Sequence, residues 1–148
     1  MFPVIEKTVE IAAAPAQVWD VLTRPEHIVR WLAEPEVGAT VQTSWEVGSP
    51  IVIRGHLYEP FEVRGTVLRV EPPTRLVYSH LSSLSRLPDL PENYAELDFQ
   101  LSPLPDAPSR TRLVLTIRGC ATDSIYRHLN FYFGPTLAVL KRRVEAGG

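Results

Sequence analysis

The sequence has 148 residues, of which 45% are hydrophobic and 22% are charged, and its formal net charge is −2. This composition is ordinary for a globular protein and opposes disorder, and the length fits one domain, residues 1–148. The low net charge is a poor electrostatic footprint for nucleic acid, so we expect no nucleic-acid partner. No apolar run is long enough to span a bilayer, and the amino terminus lacks a signal-peptide pattern. We therefore expect a cytoplasmic protein without membrane insertion.

The beginning of the chain is predicted to form one strand followed by two short helices. Residues 4–11 alternate between apolar and polar side chains, which is typical of a half-buried strand. Pro15 suits the first turn of a helix, and Pro25 suits the first turn of a second one. Thr23 and Glu26 have the spacing of a capping box, which predicts that Thr23 caps this second helix.

From Ala39 onward the chain is predicted to be sheet, because short alternating stretches are separated by turn residues. A turn at 48–50 predicts a hairpin between the strands on either side of it. The strand at 61–70 contains Gly65, which indicates a bulge or a close approach of two backbones. Another strand is predicted at 75–81.

The segment 82–93 is a candidate lid, since Pro88 and Pro91 oppose regular structure while leucines recur between them. Two amphipathic strands follow at 95–101 and 113–117, and the proline-rich stretch between them is predicted to be a turn. A short turn can join only antiparallel strands, so these two strands are expected to pair in that way.

The only stretch long and periodic enough for a major helix runs from 122 to 145. Asp123 is suited to cap its start, and Pro135 is expected to bend it. Its apolar residues recur at steps of three or four, so they form one stripe that must be buried. The stripe consists of Ile125, Leu129, Phe133, Leu137, Leu140 and Val144.

The order of elements predicts an α+β fold. Connections between the strands are mostly too short for parallel crossovers, so the sheet should be antiparallel, with about six to seven strands. A strongly twisted sheet of that size curls, and the terminal helix carries the apolar stripe that can fill the hollow. A cavity can remain between sheet and helix.

Three stretches of the sequence, together with the long carboxyl-terminal helix after them, resemble a known family. They are IAAAPAQVWDVLTRPEHIVRWL, WEVGSPIVIRG and GTVLRVEPPTRLVYSH. Their order resembles the helix-grip superfamily of START-like and Bet v 1-like domains, also called SRPBCC, and within it the branch named after the activator of the Hsp90 ATPase. The resemblance covers essentially the whole chain and implies a helix-grip fold with a pocket for a hydrophobic small molecule.

The same resemblance bears on a chaperone partner. Eukaryotic Hsp90 activators carry a further amino-terminal domain, for which 148 residues leave no room. We therefore expect a stand-alone member with an unassigned ligand rather than a chaperone activator.

The sequence lacks the patterns of several common catalytic and cofactor sites. The four histidines are His27, His56, His80 and His128. They show neither HxH nor HxxxH spacing, and one cysteine excludes CxxC, so we expect no metal. The motifs GxxxxGK, GxGxxG and GxSxG are absent, so we expect no cofactor and assign no catalytic residue. The lone Cys120 is interpreted as a small buried filler.

The candidates for the wall of a ligand pocket combine apolar surface with a few polar groups. They are Trp45, Arg54, His56, Tyr78, His80, Leu97, Phe99, Ile117, Tyr126 and Phe133. Plain core packing is the alternative for the large apolar residues, and a solvent-facing strand is the alternative for Arg54 and His56. Tyr78 and His80 share a strand face and are suited to bond the polar end of a ligand, and His80 stands where many relatives carry tryptophan.

We favour a protein that binds a small, largely apolar molecule, such as a lipid, a polyketide-like or an aromatic compound. One alternative is an enzyme with cyclase, dehydratase or hydrolase chemistry, with Tyr78 and His80 as acid and base. Another is an interaction protein related to the Hsp90 activators that works through its outer surface. Self-association into a homodimer, through exposed sheet or through Phe131 and Tyr132, is left open.

Overall fold

Seven strands and three α-helices form within residues 2–148, the part of the chain that this computed structural model describes. The strands are β1 (Ile5–Ile11), β2 (Thr40–Thr43), β3 (Pro50–His56), β4 (Pro60–Glu71), β5 (Arg75–Ser82), β6 (Ala95–Leu104) and β7 (Ala107–Arg118). The helices are α1 (Pro15–Thr23), α2 (Pro25–Trp31) and α3 (Asp123–Glu145). No helix of this described part is both long and apolar enough to cross a membrane.

The strands form one sheet in the order β1-β7-β6-β5-β4-β3-β2. Every neighbouring pair is antiparallel, and β1 joins the sheet beside the last strand rather than beside β2. The sheet is curved and α3 packs against it. The predicted α+β fold, with an antiparallel sheet around a long terminal helix and two short helices after the first strand, is confirmed.

The core lies between the inner face of the sheet and the apolar stripe of α3. The predicted stripe is buried at Leu129, Phe133, Leu137, Leu140 and Val144. The sheet faces it with alternate residues of β6 and β7, namely Leu97, Phe99, Leu101, Leu113, Leu115 and Ile117. Burial of one such side chain contributes about 1.5–3 kcal/mol, so this layer supplies a large part of the stability.

The amino terminus of α3 is capped one residue earlier than predicted. Thr122, not Asp123, is the cap, and its Oγ1 accepts a hydrogen bond of 3.1 Å from the backbone N–H of Ile125. A capping residue must still have an extended backbone, as Thr122 has with φ −137 and ψ 161. Asp123 is already helical, and its carboxylate pairs instead with Arg127 at 2.8 Å.

The predicted capping box at the start of α2 is wrong. Thr23 still belongs to α1, and its hydroxyl donates a hydrogen bond of 2.8 Å to the carbonyl of Trp19. Arg24 occupies the capping position without a side-chain bond, so Glu26 has no capping partner at Thr23. Pro25 begins α2 as predicted. The first helical position needs no backbone N–H donor, so proline costs no hydrogen bond there.

Two features of the sheet refine the sequence-based boundaries. A Cβ on Gly65 would lie 1.7 Å from the carbonyl oxygen of Ser79, so the close approach of two backbones predicted at Gly65 is present. The register shift of this strand pair lies further on, between Val67 and Arg69. The proline-rich stretch is mostly strand, since β6 ends at Leu104 and β7 begins at Ala107.

The outer face of the sheet contains one fully buried carboxylate, that of Asp98 on β6. Arg75 on β5 donates to it from Nε at 3.0 Å and from Nη2 at 2.7 Å, and Arg118 on β7 donates at 2.7 Å. Burial alone would raise the pKa of Asp98, but the bonds from the two arginines lower it below its usual range. The charged carboxylate therefore ties the three adjacent strands β5, β6 and β7 together.

We expect Asp98→Asn to lower the free energy of unfolding, measured in urea at pH 7, by about 2–3 kcal/mol. The substitution removes the negative charge that the guanidinium groups of Arg75 and Arg118 share. The contribution of the carboxylate is present above its unfolded pKa and is lost as the pH falls through its lowered folded pKa. Glu10→Gln is the matched control, since Glu10 pairs with Arg112 at 3.2 Å on the exposed surface. It should change stability by less than about 0.5 kcal/mol. Equal losses in the two variants would contradict the role assigned to Asp98.

Candidate ligand cavity

A cavity of about 260 Å³ lies between α3 and the β3–β5 part of the sheet. The amino-terminal half of α3 contributes His128, Leu129, Tyr132 and Phe133 to its wall. The sheet contributes apolar side chains from β3 and β4, among them Ile53, Phe61 and Val63. The segment after α2 closes a third side with Leu32, Val37 and Ala39. The wall is therefore mostly apolar, and the volume approaches the range of about 300–1,000 Å³ that is usual for ligand pockets.

A second cavity, of about 390 Å³, adjoins the first. The two share Leu57, His80, Ser82, Leu84, His128 and Leu129 as wall residues. Leu57 is 51% exposed and the neighbouring Tyr58 is 76% exposed, so the turn between β3 and β4 lies at the opening to solvent. Together the two cavities offer a molecule more room than either one alone.

The segment predicted as a lid lies beside both cavities and contributes Leu84 to each. It is held against β4 by polar contacts on the outside. Arg64 of β4 pairs with Asp89 at 3.2 Å, and the hydroxyl of Tyr94 donates to the same carboxylate at 2.6 Å. Arg86 pairs with Glu59 just before β4. These contacts keep Leu84 in the cavity wall.

Tyr78 is the most deeply buried polar residue of the cavity wall, with 5% exposure. Its ring packs against those of Trp45 and Phe99, each with a centroid 6.0 Å from that of Tyr78. Trp45 is itself fixed, because its Nε1 donates a hydrogen bond of 2.7 Å to the carbonyl of Thr23. Within residues 2–148 the Tyr78 hydroxyl makes no hydrogen bond, and because no side-chain nitrogen or oxygen there is buried without a partner, this hydroxyl is accessible from the cavity.

His80 and two residues of α3 complete the polar part of the wall. His80 follows Tyr78 on the same face of β5 and is partly buried. The ring of His128 stacks on Tyr132 with centroids 5.7 Å apart. The Tyr132 hydroxyl donates to the carbonyl of Leu32, so it is already satisfied.

Three polar groups of the cavity wall, those of Tyr78, His80 and Tyr132, are uncharged at neutral pH. Burial and, to a smaller extent, the nearby His128 lower the pKa of His80 to about 4, and a bond to its own backbone partly opposes the shift. Burial also raises the pKa of Tyr78 and that of Tyr132, so both phenols remain protonated. Among the described residues of the wall there is no lysine or arginine, and the acidic Glu34 is exposed to solvent.

Of the residues predicted for a pocket wall, Tyr78, His80 and Phe133 line the cavity. Other predicted members are packed into the core without lining it, namely Leu97, Phe99 and Ile117, each with 0% exposure. Trp45 is half-buried behind Tyr78. The alternative of plain core packing therefore describes these four side chains.

The remaining predicted residues lie outside the cavity wall. Arg54 is exposed and bonds to Gln42 at 2.9 Å and to Glu62 at 3.1 Å. Its strand neighbours Ile51 and Ile53 are the buried positions, so the opposite parity of β3 faces inward. His56 is exposed at the end of the same strand. Elsewhere, Tyr126 stacks on Phe2 with centroids 5.7 Å apart.

Sequence reasoning missed His128 and Tyr132, which the structure places in the wall. Each precedes a member of the predicted stripe by one position, at Leu129 and Phe133, so a wider view of the helical wheel could have found them. Leu84 was missed as well, although it belongs to the predicted lid. No periodicity in that segment marks which leucine points inward.

The side chains present disfavour two other types of site, a metal centre and a reactive thiol. Within residues 2–148, no three His, Cys, Asp or Glu side chains are grouped so that they could hold a metal ion. Cys120 is partly buried, and burial raises the pKa of its thiol, which disfavours a reactive thiolate.

The fold of this chain is similar to those of several solved structures. ChR145 from Cytophaga hutchinsonii is 29% identical, with a TM-score of 0.79 and with 99% of this chain and 96% of that chain covered. The Aha1 dimer from Colwellia psychrerythraea is 21% identical, with a TM-score of 0.75 and coverage of 99% and 98%. DynU16, a putative protein in the dynemicin biosynthetic locus, is 18% identical with a TM-score of 0.74, and the match covers 99% of this chain but 49% of DynU16.

No curated protein sequence matches this chain. The two neighbours below 25% identity, including the one that is a dimer, establish similarity of fold only. A family model described as activator of Hsp90 ATPase homolog 1-like protein matches residues 12–145, which confirms the resemblance found in the sequence. The chain therefore belongs to the family of activator of Hsp90 ATPase homolog 1-like proteins.

Proposed function

We propose that this protein binds a small, largely apolar molecule in the cavity between the sheet and α3. The single observation that carries the proposal is the cavity itself, which has apolar walls and an unpaired phenol, that of Tyr78, inside it. Side chains around a cavity lack contacts on one side, and this costs stability in a core that is otherwise close-packed. A bound apolar molecule restores those contacts.

Catalysis in the same cavity is the second candidate, because Tyr78 and His80 line it together. A general base works best with a pKa near the operating pH, whereas the pKa of His80 is lowered to about 4. Tyr78 remains protonated and is suited to donate a hydrogen bond rather than to accept a proton. The electrostatics of the wall therefore favour binding over acid–base chemistry.

Protein partners have weaker support than a small ligand. A chaperone partner is supported by the description of the family. That description does not identify a binding surface on this chain. A homodimer occurs in one structural neighbour. Of the two aromatic residues considered for self-association, Phe131 is 80% exposed, whereas Tyr132 faces the cavity and bonds to Leu32. Only Phe131 is available for an external contact of that kind.

The proposal is tested by filling the cavity. Ala39→Phe places a benzyl group in the space that Ala39 lines. We expect it to weaken binding of the neutral, apolar fluorophore N-phenyl-1-naphthylamine by at least about tenfold, because probe and side chain compete for the same volume. Fluorescence titration measures the affinity, and native mass spectrometry of the unmodified protein checks for a co-purified molecule.

The matched control is Ala16→Phe, the same change at an exposed position of α1, which should leave affinity for the probe unaltered. Circular dichroism confirms that each variant is folded. An unmodified protein that does not take up the probe, or a folded Ala39→Phe variant that binds it as tightly as before, would refute binding in this cavity.

The neutral state of His80 predicts how stability depends on pH. The pKa of His80 falls from 6.5 to about 4 on folding, so between these values the unfolded chain binds a proton that the folded protein excludes. Stability is therefore fully present above pH 6.5 and declines as the pH falls toward 4, by up to about 3 kcal/mol. The titratable groups that share the cavity wall are Tyr78, His128, Tyr132 and Glu34.

Urea unfolding at a series of pH values measures this decline. His80→Gln should flatten the decline above pH 4, because the side chain no longer titrates. His56→Gln, at the exposed end of β3, should leave it in place. Parallel declines in the unmodified protein and in His80→Gln would show that His80 is not the group responsible.

A further inference from the structure

We propose that Tyr78 and His80 form a recognition pair for the hydroxyl group of an uncharged aromatic ligand, a phenol. This inference rests on the proposed binding function and assigns the chemical class of the ligand. The two residues are two positions apart on β5, so their side chains leave the same face of the strand about 7 Å apart. Both side chains line the same cavity, so a ligand hydroxyl in it faces both.

The Tyr78 hydroxyl is the hydrogen-bond donor of the pair. Tyr78 is 5% exposed and lines the cavity, and no residue in the range 2–148 bonds its hydroxyl. No side-chain nitrogen or oxygen of the described residues is buried without a partner, so this hydroxyl is accessible from the cavity, and a ligand oxygen there can accept its hydrogen bond. Trp45 and Phe99 pack against the ring, so the donor is positioned before a ligand binds.

His80 supplies the complementary group. Because burial keeps its imidazole neutral, one ring nitrogen is an acceptor and the other a donor. A ligand hydroxyl is both acceptor and donor, so it accepts from Tyr78 and donates to the imidazole. An ether or a tertiary amide lacks the donor and would leave that nitrogen unpaired.

The charge of the wall excludes an anionic group at this position. Among its described residues the cavity wall contains no lysine or arginine, and the carboxylate of Glu34 lies on its exposed side. A ligand carboxylate would lose its hydration without gaining a cation, which is expensive in an apolar site. A phenol avoids that cost because it is uncharged at neutral pH.

Aromatic side chains favour an aromatic body for the ligand. Phe61, Tyr132 and Phe133 belong to the wall together with the ring of Tyr78. Aromatic rings pack against each other in offset or edge-to-face arrangements, as Tyr132 and Phe133 do here with centroids 5.1 Å apart. A planar ring that carries one hydroxyl fits both the walls and the polar pair.

Three probes of similar shape separate these contributions. 2-Naphthol carries the hydroxyl, 2-methylnaphthalene replaces it with a methyl group, and 2-naphthoate replaces it with a negative charge. Calorimetric titration at pH 7.5 should show 2-naphthol binding about tenfold more tightly than 2-methylnaphthalene and at least as much more tightly than 2-naphthoate. Tyr78→Phe should abolish the preference for 2-naphthol over 2-methylnaphthalene without weakening 2-methylnaphthalene.

The matched control is Tyr126→Phe, which removes a phenol that stacks on Phe2 outside the cavity and should change none of the three affinities. If 2-methylnaphthalene binds as tightly as 2-naphthol, or Tyr78→Phe retains the preference, the recognition pair is overturned while the binding function stands. Equal or tighter binding of 2-naphthoate overturns it as well. If neither neutral probe binds and N-phenyl-1-naphthylamine also fails, the binding function falls, and this inference falls with it.

Discussion

The structure depends on burial of the apolar stripe of α3 against the concave face of the sheet. In the carboxyl-terminal half of the helix this contact is tight, with Leu137, Leu140 and Val144 buried. The same half is tied to the first strand, since Lys141 Nζ donates to the carbonyl of Glu10 at 2.6 Å. In the amino-terminal half the helix and the sheet leave room between them. One helix therefore closes the core at one end and forms a cavity wall at the other.

The change along α3 follows from the side chains that it presents. Its carboxyl-terminal half carries aliphatic residues, whereas the amino-terminal half carries the rings of His128, Tyr132 and Phe133. Across the cavity, β5 presents Tyr78 and His80 on the face that presents aliphatic Leu76 closer to its start. The polar and aromatic residues of β5 and those of α3 therefore line the same cavity. Burial of neutral titratable groups there explains both the lowered pKa of His80 and the suitability of the cavity for an uncharged ligand.

The outer face of the sheet stabilises the arrangement in a different way. Asp98 is buried between two arginines, and bonds from Arg64 and Tyr94 to Asp89 fix the segment that carries Leu84. Both sets of contacts lie on the side away from α3. Charged groups are stable on the outer face because each carboxylate pairs with a cation. Among the described residues, the buried part of the cavity wall contains no such pair, and its donors and acceptors are neutral.

The sequence by itself determined the main elements and the fold, because periodicity of apolar residues depends only on the local geometry of helices and strands. It also placed Tyr78 and His80 on one face, since alternation along a strand is a local property. It did not show that β6 and β7 extend into the proline-rich stretch between them. The inward parity of β3, which favours Ile53 over Arg54, was decided by the tertiary structure, as were the caps at Thr122 and Arg24. Only the packed structure could assign the cavity wall, because a cavity forms where sheet and helix fail to meet, and that depends on every element that holds them apart.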